Sequence, residues 1–140
     1  MKTLFRISFF MAAMALTALA ADKPDDAKAI QGMWIAEKSQ LSGKPFKTNF
    51  TLKFEGNNYE IAVESLDKGT YKLDAAAKPK TIDITGVEGP NAGRKIAAIY
   101  DLEGDTLRIC YGLAGSPRPT ELKSPEGTRT FLVTYKRKKT

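Results

Sequence analysis

The sequence predicts an all-β fold: an eight-stranded, antiparallel, up-and-down barrel preceded by a short helical turn. Three observations predict it. Apolar residues recur with period two through most of the chain after residue 32. Tight-turn sequences divide these runs at short intervals. No stretch of helical period is long enough to cross over between parallel strands, so βαβ units are excluded and an antiparallel meander is left. Closing eight such strands also removes exposed sheet edges. A two-sheet sandwich is the alternative.

A leader precedes the strands. Lys2 and Arg6 form a basic start, Phe9 to Leu19 carries no charge, and Ala18-Leu19-Ala20 is an A-x-A cleavage sequence. The apolar run is shorter than the roughly 20 residues a spanning helix needs. A signal peptide is therefore expected over residues 1–20, with cleavage near Ala20 and a single domain over 21–140. The expected location is periplasmic or secreted, with no integral membrane segment after cleavage. No cysteine near the cleavage point offers a lipid attachment.

Asp25 and Asp26 lead into Ala27-Lys28-Ala29-Ile30-Gln31, and acids at the start of such a run favour a helical turn, which Gly32 ends. Strand one is expected over Met33 to Ser39 and is broken by Ser42-Gly43-Lys44-Pro45. Phe50, Leu52 and Phe54 alternate on strand two, and Glu55-Gly56-Asn57-Asn58 is a hairpin turn. Tyr59, Ile61 and Val63 alternate on strand three. Asp67-Lys68-Gly69 reads as the next turn, and Tyr71 and Leu73 mark strand four. Ala77-Lys78-Pro79 turns the chain into strand five, with Ile82 and Ile84. Gly86 to Gly93 is a first long loop. Ile96, Ala98, Tyr100 and Leu102 make strand six, Glu103-Gly104-Asp105 is a tight turn, and Leu107, Ile109 and Tyr111 make strand seven. A second long loop runs from Gly112 to Gly127, with Pro117, Pro119 and Pro125. Strand eight is expected over Arg129 to Tyr135.

The full chain carries a net charge of +6 from 22 basic and 16 acidic residues. Loss of Lys2 and Arg6 with the leader lowers this to +4, with both signs interspersed. The one basic cluster, Lys136-Arg137-Lys138-Lys139, reads either as an anion-binding patch or as a solvated terminus. It has no interleaved aromatics, so no nucleic-acid partner is expected. A lone cysteine, Cys110, rules out an internal disulfide, and a hydrophobic core must hold the fold. Cys110 reads as a buried small apolar residue, a free thiol or an intermolecular bridge, the first being the commonest fate of an unpaired cysteine.

The chain has no histidine. That removes the commonest general base and metal ligand, and with one cysteine it removes zinc sites and Cys–His nucleophilic pairs. No glycine-rich phosphate cradle precedes a helix. Carboxylates are what is left for catalysis. Asp74 and Asp83 flank one turn, and Asp101 and Asp105 flank another. They read either as a paired-carboxylate hydrolase site or as turn caps that accept backbone N–H groups. The second reading, together with the missing motifs, sets the expectation of a protein that is not an enzyme and carries no cofactor or metal.

Gly32-x-Trp34 resembles the first-strand motif of lipocalins. In that family the Trp packs across the barrel floor against a basic residue from near the last strand, and Arg137 is the matching position. A longer pattern runs from Gly69-Thr70-Tyr71-Lys72-Leu73-Asp74 to Lys78-Pro79-Lys80-x-Ile82-Asp83. It continues with Ile99-Tyr100-x-Leu102-x-Gly104-Asp105-x-Leu107-x-Ile109-Cys110 and Arg118-Pro119-Thr120. This resembles a family of secreted lipocalin-like domains with many paralogues in planctomycete-type bacteria. Leu122 stands where that pattern has Phe after Arg-Pro-Thr-Glu, which keeps an apolar anchor. The resemblance implies a lipocalin-like barrel and export. It implies no activity.

One register points the apolar residues of every run inward, from Trp34 and Phe50 through Val63 and Tyr71 to Val133 and Tyr135. These are mostly large, and eight strands enclose a space that side chains just fill or that holds one small ligand. Two functions follow. The first is a binding module for a small apolar or amphipathic molecule, held at a shallow mouth opposite Trp34 and lined by Tyr71, Tyr100 and Tyr111. The second is a filled barrel that presents loops 86–93 and 112–128 to a protein partner. Arg118, stiffened between Pro117 and Pro119, then either offers its guanidinium to an anionic partner or bonds its own loop to the barrel. Trp34 and Arg137 are expected to be structural.

Overall fold

A computed structural model describes residues 25–139 of the protein. The expected leader over 1–20, with Lys2, Arg6 and the cleavage point at Ala20, lies outside the described residues. Those residues form one helix, α1 (Asp26–Ala29), and nine strands. The strands are β1 (Gly32–Leu41), β2 (Lys44–Pro45), β3 (Thr51–Glu55), β4 (Asn58–Ala62), β5 (Leu66–Asp74), β6 (Thr81–Glu88), β7 (Lys95–Glu103), β8 (Thr106–Gly112) and β9 (Thr130–Arg137). Each of β3 to β9 pairs antiparallel with its neighbour in sequence, and β1 pairs with both β3 and β9. Eight strands thus close into an up-and-down barrel. The two-residue β2 is an extra strand that folds back on the end of β1 through Gln40↔Pro45 and Leu41↔Lys44.

The strand directions give the barrel two ends. The β3–β4 and β7–β8 turns share one end with α1 and the last residues of β9. This is the floor. Ile30 and Trp34 are fully buried there, and the Trp34 indole Nε1 donates to the Ile30 carbonyl at 2.8 Å. Asp25 caps α1 by accepting from the Lys28 amide. Asp26, 4 % exposed, accepts from the Tyr100 hydroxyl at 2.7 Å and from Lys80 Nζ at 2.9 Å. The helix is thereby tied to β7 and to the approach to β6. Lys136 and Arg137 belong to β9, so that half of the basic cluster is part of the barrel wall.

Three stretches differ from the sequence expectation. Asp67-Lys68-Gly69 is not a turn but the first half of β5. Its inward positions are Asp67 and Gly69, so the apolar period that marks Tyr71 and Leu73 is silent there. β6 likewise continues through Gly86 to Glu88 and shortens the first loop to residues 89–94. Val63, expected inside, lies beyond the end of β4 at the rim and is 44 % exposed.

The second long connection, residues 113–129, does not project. It lies on the outer face of β7 and β8. Ile99 and Cys110, opposite each other across that ladder, are fully buried beneath it and separate from the barrel core. The Cys110 thiol donates to the Lys123 carbonyl at 3.3 Å, and Ser124 Oγ donates to the Thr130 carbonyl at 2.7 Å.

Candidate functional site

The end of the barrel opposite Trp34 is open. A cavity of about 570 Å³ enters there, with Phe46, Phe50, Ile61, Ile84, Ile96 and Phe131 among its apolar lining. Its aromatic wall is self-supporting. Phe46 meets Phe131 edge-on at 5.6 Å, Phe131 stacks on Tyr111 at 5.8 Å, and Phe50 meets Tyr135 edge-on at 6.0 Å. Segment 46–50 supplies one side of this wall. Ser39 holds it through its carbonyl, which accepts from the Phe46 amide, and its hydroxyl, which donates to the Lys47 carbonyl.

Polar groups converge in one part of the cavity lining. Asp67, 6 % exposed, accepts three hydrogen bonds. The Asn91 backbone amide donates to Oδ1 at 3.2 Å, and the Asn91 side-chain amide donates to Oδ2 at 2.8 Å. The Tyr59 hydroxyl also donates to Oδ2, at 3.3 Å. Beside them the Tyr111 and Tyr135 hydroxyls share a hydrogen bond of 2.8 Å. Burial raises the Tyr59, Tyr111 and Tyr135 hydroxyls above the ordinary tyrosine range, and the Asp67 charge raises Tyr59 and Tyr111 further. They stay protonated at neutral pH, so Tyr59 donates to Asp67 and one of the Tyr111–Tyr135 pair donates to the other.

Three glycines make this arrangement fit. A Cβ on Gly69 would stand 2.0 Å from the Thr85 carbonyl oxygen and 2.8 Å from the Tyr59 ring. A Cβ on Gly86 would stand 1.8 Å from the Asn91 carbonyl oxygen. A Cβ on Gly89, within the loop, would stand 2.4 Å from the Leu66 carbonyl oxygen and 2.9 Å from the Asp67 Cα, so bare backbone at Gly86 and Gly89 lets loop 89–94 fold back far enough for Asn91 to reach Asp67.

The three tyrosines expected to line the mouth are not brought together. Tyr111 lines it. Tyr100 lies at the floor with its hydroxyl on Asp26. Tyr71 also reaches the floor, where its hydroxyl donates to the Gly56 carbonyl at 2.6 Å and accepts from Gln31 at 2.9 Å. Alternation places a side chain inside the barrel but not at a given end, and these tyrosines sit on floor-side halves of their strands. Arg118 bonds its own loop to the barrel, donating to the Ala98 carbonyl at 2.8 Å and pairing with Asp83. Trp34 and Arg137 meet at the floor.

The carboxylates weighed for catalysis are engaged elsewhere. Asp74 accepts from the Ala76 and Ala77 amides in a turn, Asp101 pairs with Arg108 at 2.8 Å, and Asp105 pairs with Arg137 at 3.1 Å. Among the described residues no group of three or more Cys, Asp or Glu side chains is placed to hold a metal ion. The residues that sequence reasoning missed are Asp67, Tyr59 in its polar role, Asn91 and Phe46. A signal existed for Asp67: counting back by twos from Leu73 and Tyr71 reaches Gly69 and then Asp67 on the same inward face. No family model, no curated protein and no solved structure matches this chain.

Proposed function

We propose that the protein is an exported, non-catalytic binding module that holds a small apolar or amphipathic molecule in the mouth of its barrel. The observation that carries this reading is the 570 Å³ cavity, lined mostly by apolar and aromatic side chains with a cluster of polar groups about Asp67. Small-molecule sites of this kind span roughly 300–1,000 Å³ and combine a greasy lining with a few convergent polar groups. The barrel below is filled by Trp34, Phe54, Ile82, Tyr100 and Leu107, so a short molecule fits and a long lipid chain does not. Export rests on the Lys2, Arg6 and Ala18-Leu19-Ala20 leader features.

The other reading, a filled barrel offering loops 86–93 and 112–128 to a protein, draws less support. The barrel is hollow at its mouth, residues 86–88 of the first loop are strand, and Arg118 uses its guanidinium within the chain. The test is displacement of an environment-sensitive dye by a panel of eight- to ten-carbon and small aromatic molecules. Micromolar displacement is expected. It should be lost in Ile61→Arg, which fills the cavity, and reduced in Val63→Arg, which changes only the exposed rim. No displacement at millimolar concentration, or undiminished displacement in both variants with intact melting, removes the reading.

A further inference from the structure

The barrel buries two carboxylates, one at each end, and their surroundings differ in one respect. At the floor, Asp26 has a tyrosine hydroxyl and a cation, Tyr100 and Lys80. At the mouth, Asp67 has a tyrosine hydroxyl and the two Asn91 amide groups, all neutral donors. None of the ion pairs among the described residues includes Asp67. A buried carboxylate without a countercharge is costly, and it is normally paired or bound to a cation. Asp67 also lines the cavity. The rim does not compensate it: Lys47, the one cation of the lining, faces Glu64 at 3.9 Å, so the lining as a whole carries one more acid than base.

We infer that the ligand supplies the missing cation: the mouth takes a small amphipathic amine, its apolar body against Phe46, Ile61 and Phe131 and its ammonium on Asp67. This rests on the mouth cavity being the ligand site. A carboxylate can accept about four hydrogen bonds, and three are made, so a further acceptor position is left for an N–H donor. Tyr59 and Asn91 hold the carboxylate in place before any ligand arrives, which lowers the ordering cost of binding. The same charge works against a fatty acid, whose own carboxylate would be brought beside Asp67 in a poorly screened site. An alcohol of equal length meets neither the attraction nor the repulsion.

The experiment compares octylammonium, octanol and octanoate at pH 7 on the wild-type protein by calorimetry or dye displacement. A charge-assisted hydrogen bond in a partly buried site predicts that the amine binds roughly tenfold or more tighter than the alcohol, with the acid weakest. Asp67→Asn keeps the shape and removes the charge, so the amine and the alcohol should then bind alike. Equal binding of all three to the wild type, octanoate as the tightest, or an amine preference that survives in Asp67→Asn overturns the inference and leaves the mouth as a ligand site. Binding of none of the three overturns the mouth site as well. Should Asp67→Asn fail to fold, the three-ligand comparison on the wild type decides alone.

Discussion

The Arg137 guanidinium lies 4.3 Å from the centre of the Trp34 ring, and the two residues are ladder partners across the β1–β9 seam. Arg137 also donates to the Ala29 carbonyl, to the Gln31 carbonyl at 2.8 Å and to Asp105 at 3.1 Å. One stacked pair therefore joins the first strand, the last strand, the helix and the β7–β8 turn. The planar fork of an arginine suits this work, since it lies over the indole while its N–H groups point outward in the guanidinium plane.

Trp34→Ala should destabilise the fold by roughly 3–5 kcal/mol, the range for large aromatic truncations in cores. That is a large part of the about 5–15 kcal/mol that holds a domain of this size. Arg137→Lys keeps the charge and loses the fork, at a cost of about 1–2 kcal/mol. Urea unfolding measures both. A melting shift of only a degree or two for Trp34→Ala would contradict the floor role.

The Cys110 thiol should label slowly in the native protein. It is fully buried beneath residues 113–129, and burial raises its pKa. Arg118→Ala removes the ties to Ala98 and Asp83 that hold this loop down, so it should speed labelling several-fold with little change in far-ultraviolet circular dichroism. Equal rates in native protein and in denaturant would show that the loop does not cover the thiol.

Alkaline pH should unfold the protein through its tyrosines. The chain has five, and all five are raised above the ordinary value of 10.0, with burial the largest cause in each. Below pH 10 the folded and unfolded chains both hold these protons, and the contribution to stability is complete. As pH rises past 10 the unfolded chain releases protons that the folded chain keeps, so stability falls. Tyrosinate absorbance should then appear together with the unfolding transition. A separate step near pH 10 in the folded protein would show that the hydroxyls are accessible.

Gly86→Ala should destabilise by about 1–3 kcal/mol, the usual cost of an overpacked methyl. The added Cβ meets the Asn91 carbonyl oxygen at 1.8 Å, so loop 89–94 must move and Asn91 must leave Asp67. Gly56→Ala is the control, because a Cβ there meets nothing within 4 Å and its positive φ alone is disturbed. Thermal melts of the two variants give the comparison, and an equal loss in both would show that the close approach at Gly86 is not tight.

The barrel was legible in the sequence because its walls are built from alternation that neighbouring turns interrupt cleanly, as at Glu55-Gly56-Asn57-Asn58 and Glu103-Gly104-Asp105. The floor was legible through Trp34 and Arg137. The mouth was not. Its inward positions on β5 and β6 are Asp67, Gly69 and Gly86, the residue types that usually mark turns, and here they mark a site where backbone and polar groups replace apolar side chains. Asn91 reaches Asp67 from a loop, a contact that no periodicity encodes. Ile99 and Cys110 are outward by alternation and buried only because a loop lies over them.

The β1–β9 seam also bears on how quickly the chain can fold. β3 to β9 are joined by local hairpins and a meander that can form in sequence order, but β1 must wait for residues 131–137 before its upper half, Ala36 to Leu41, finds a partner in the barrel wall. The ladder that completes the cylinder is thus the one with the greatest separation along the chain, and closing so long a loop is the step that entropy resists most. Until then the β9-facing edge of β1 and the far edge of β9 are both unpaired. Refolding should show early protection of amides in the β4 to β8 meander and late protection in the β1–β9 ladder.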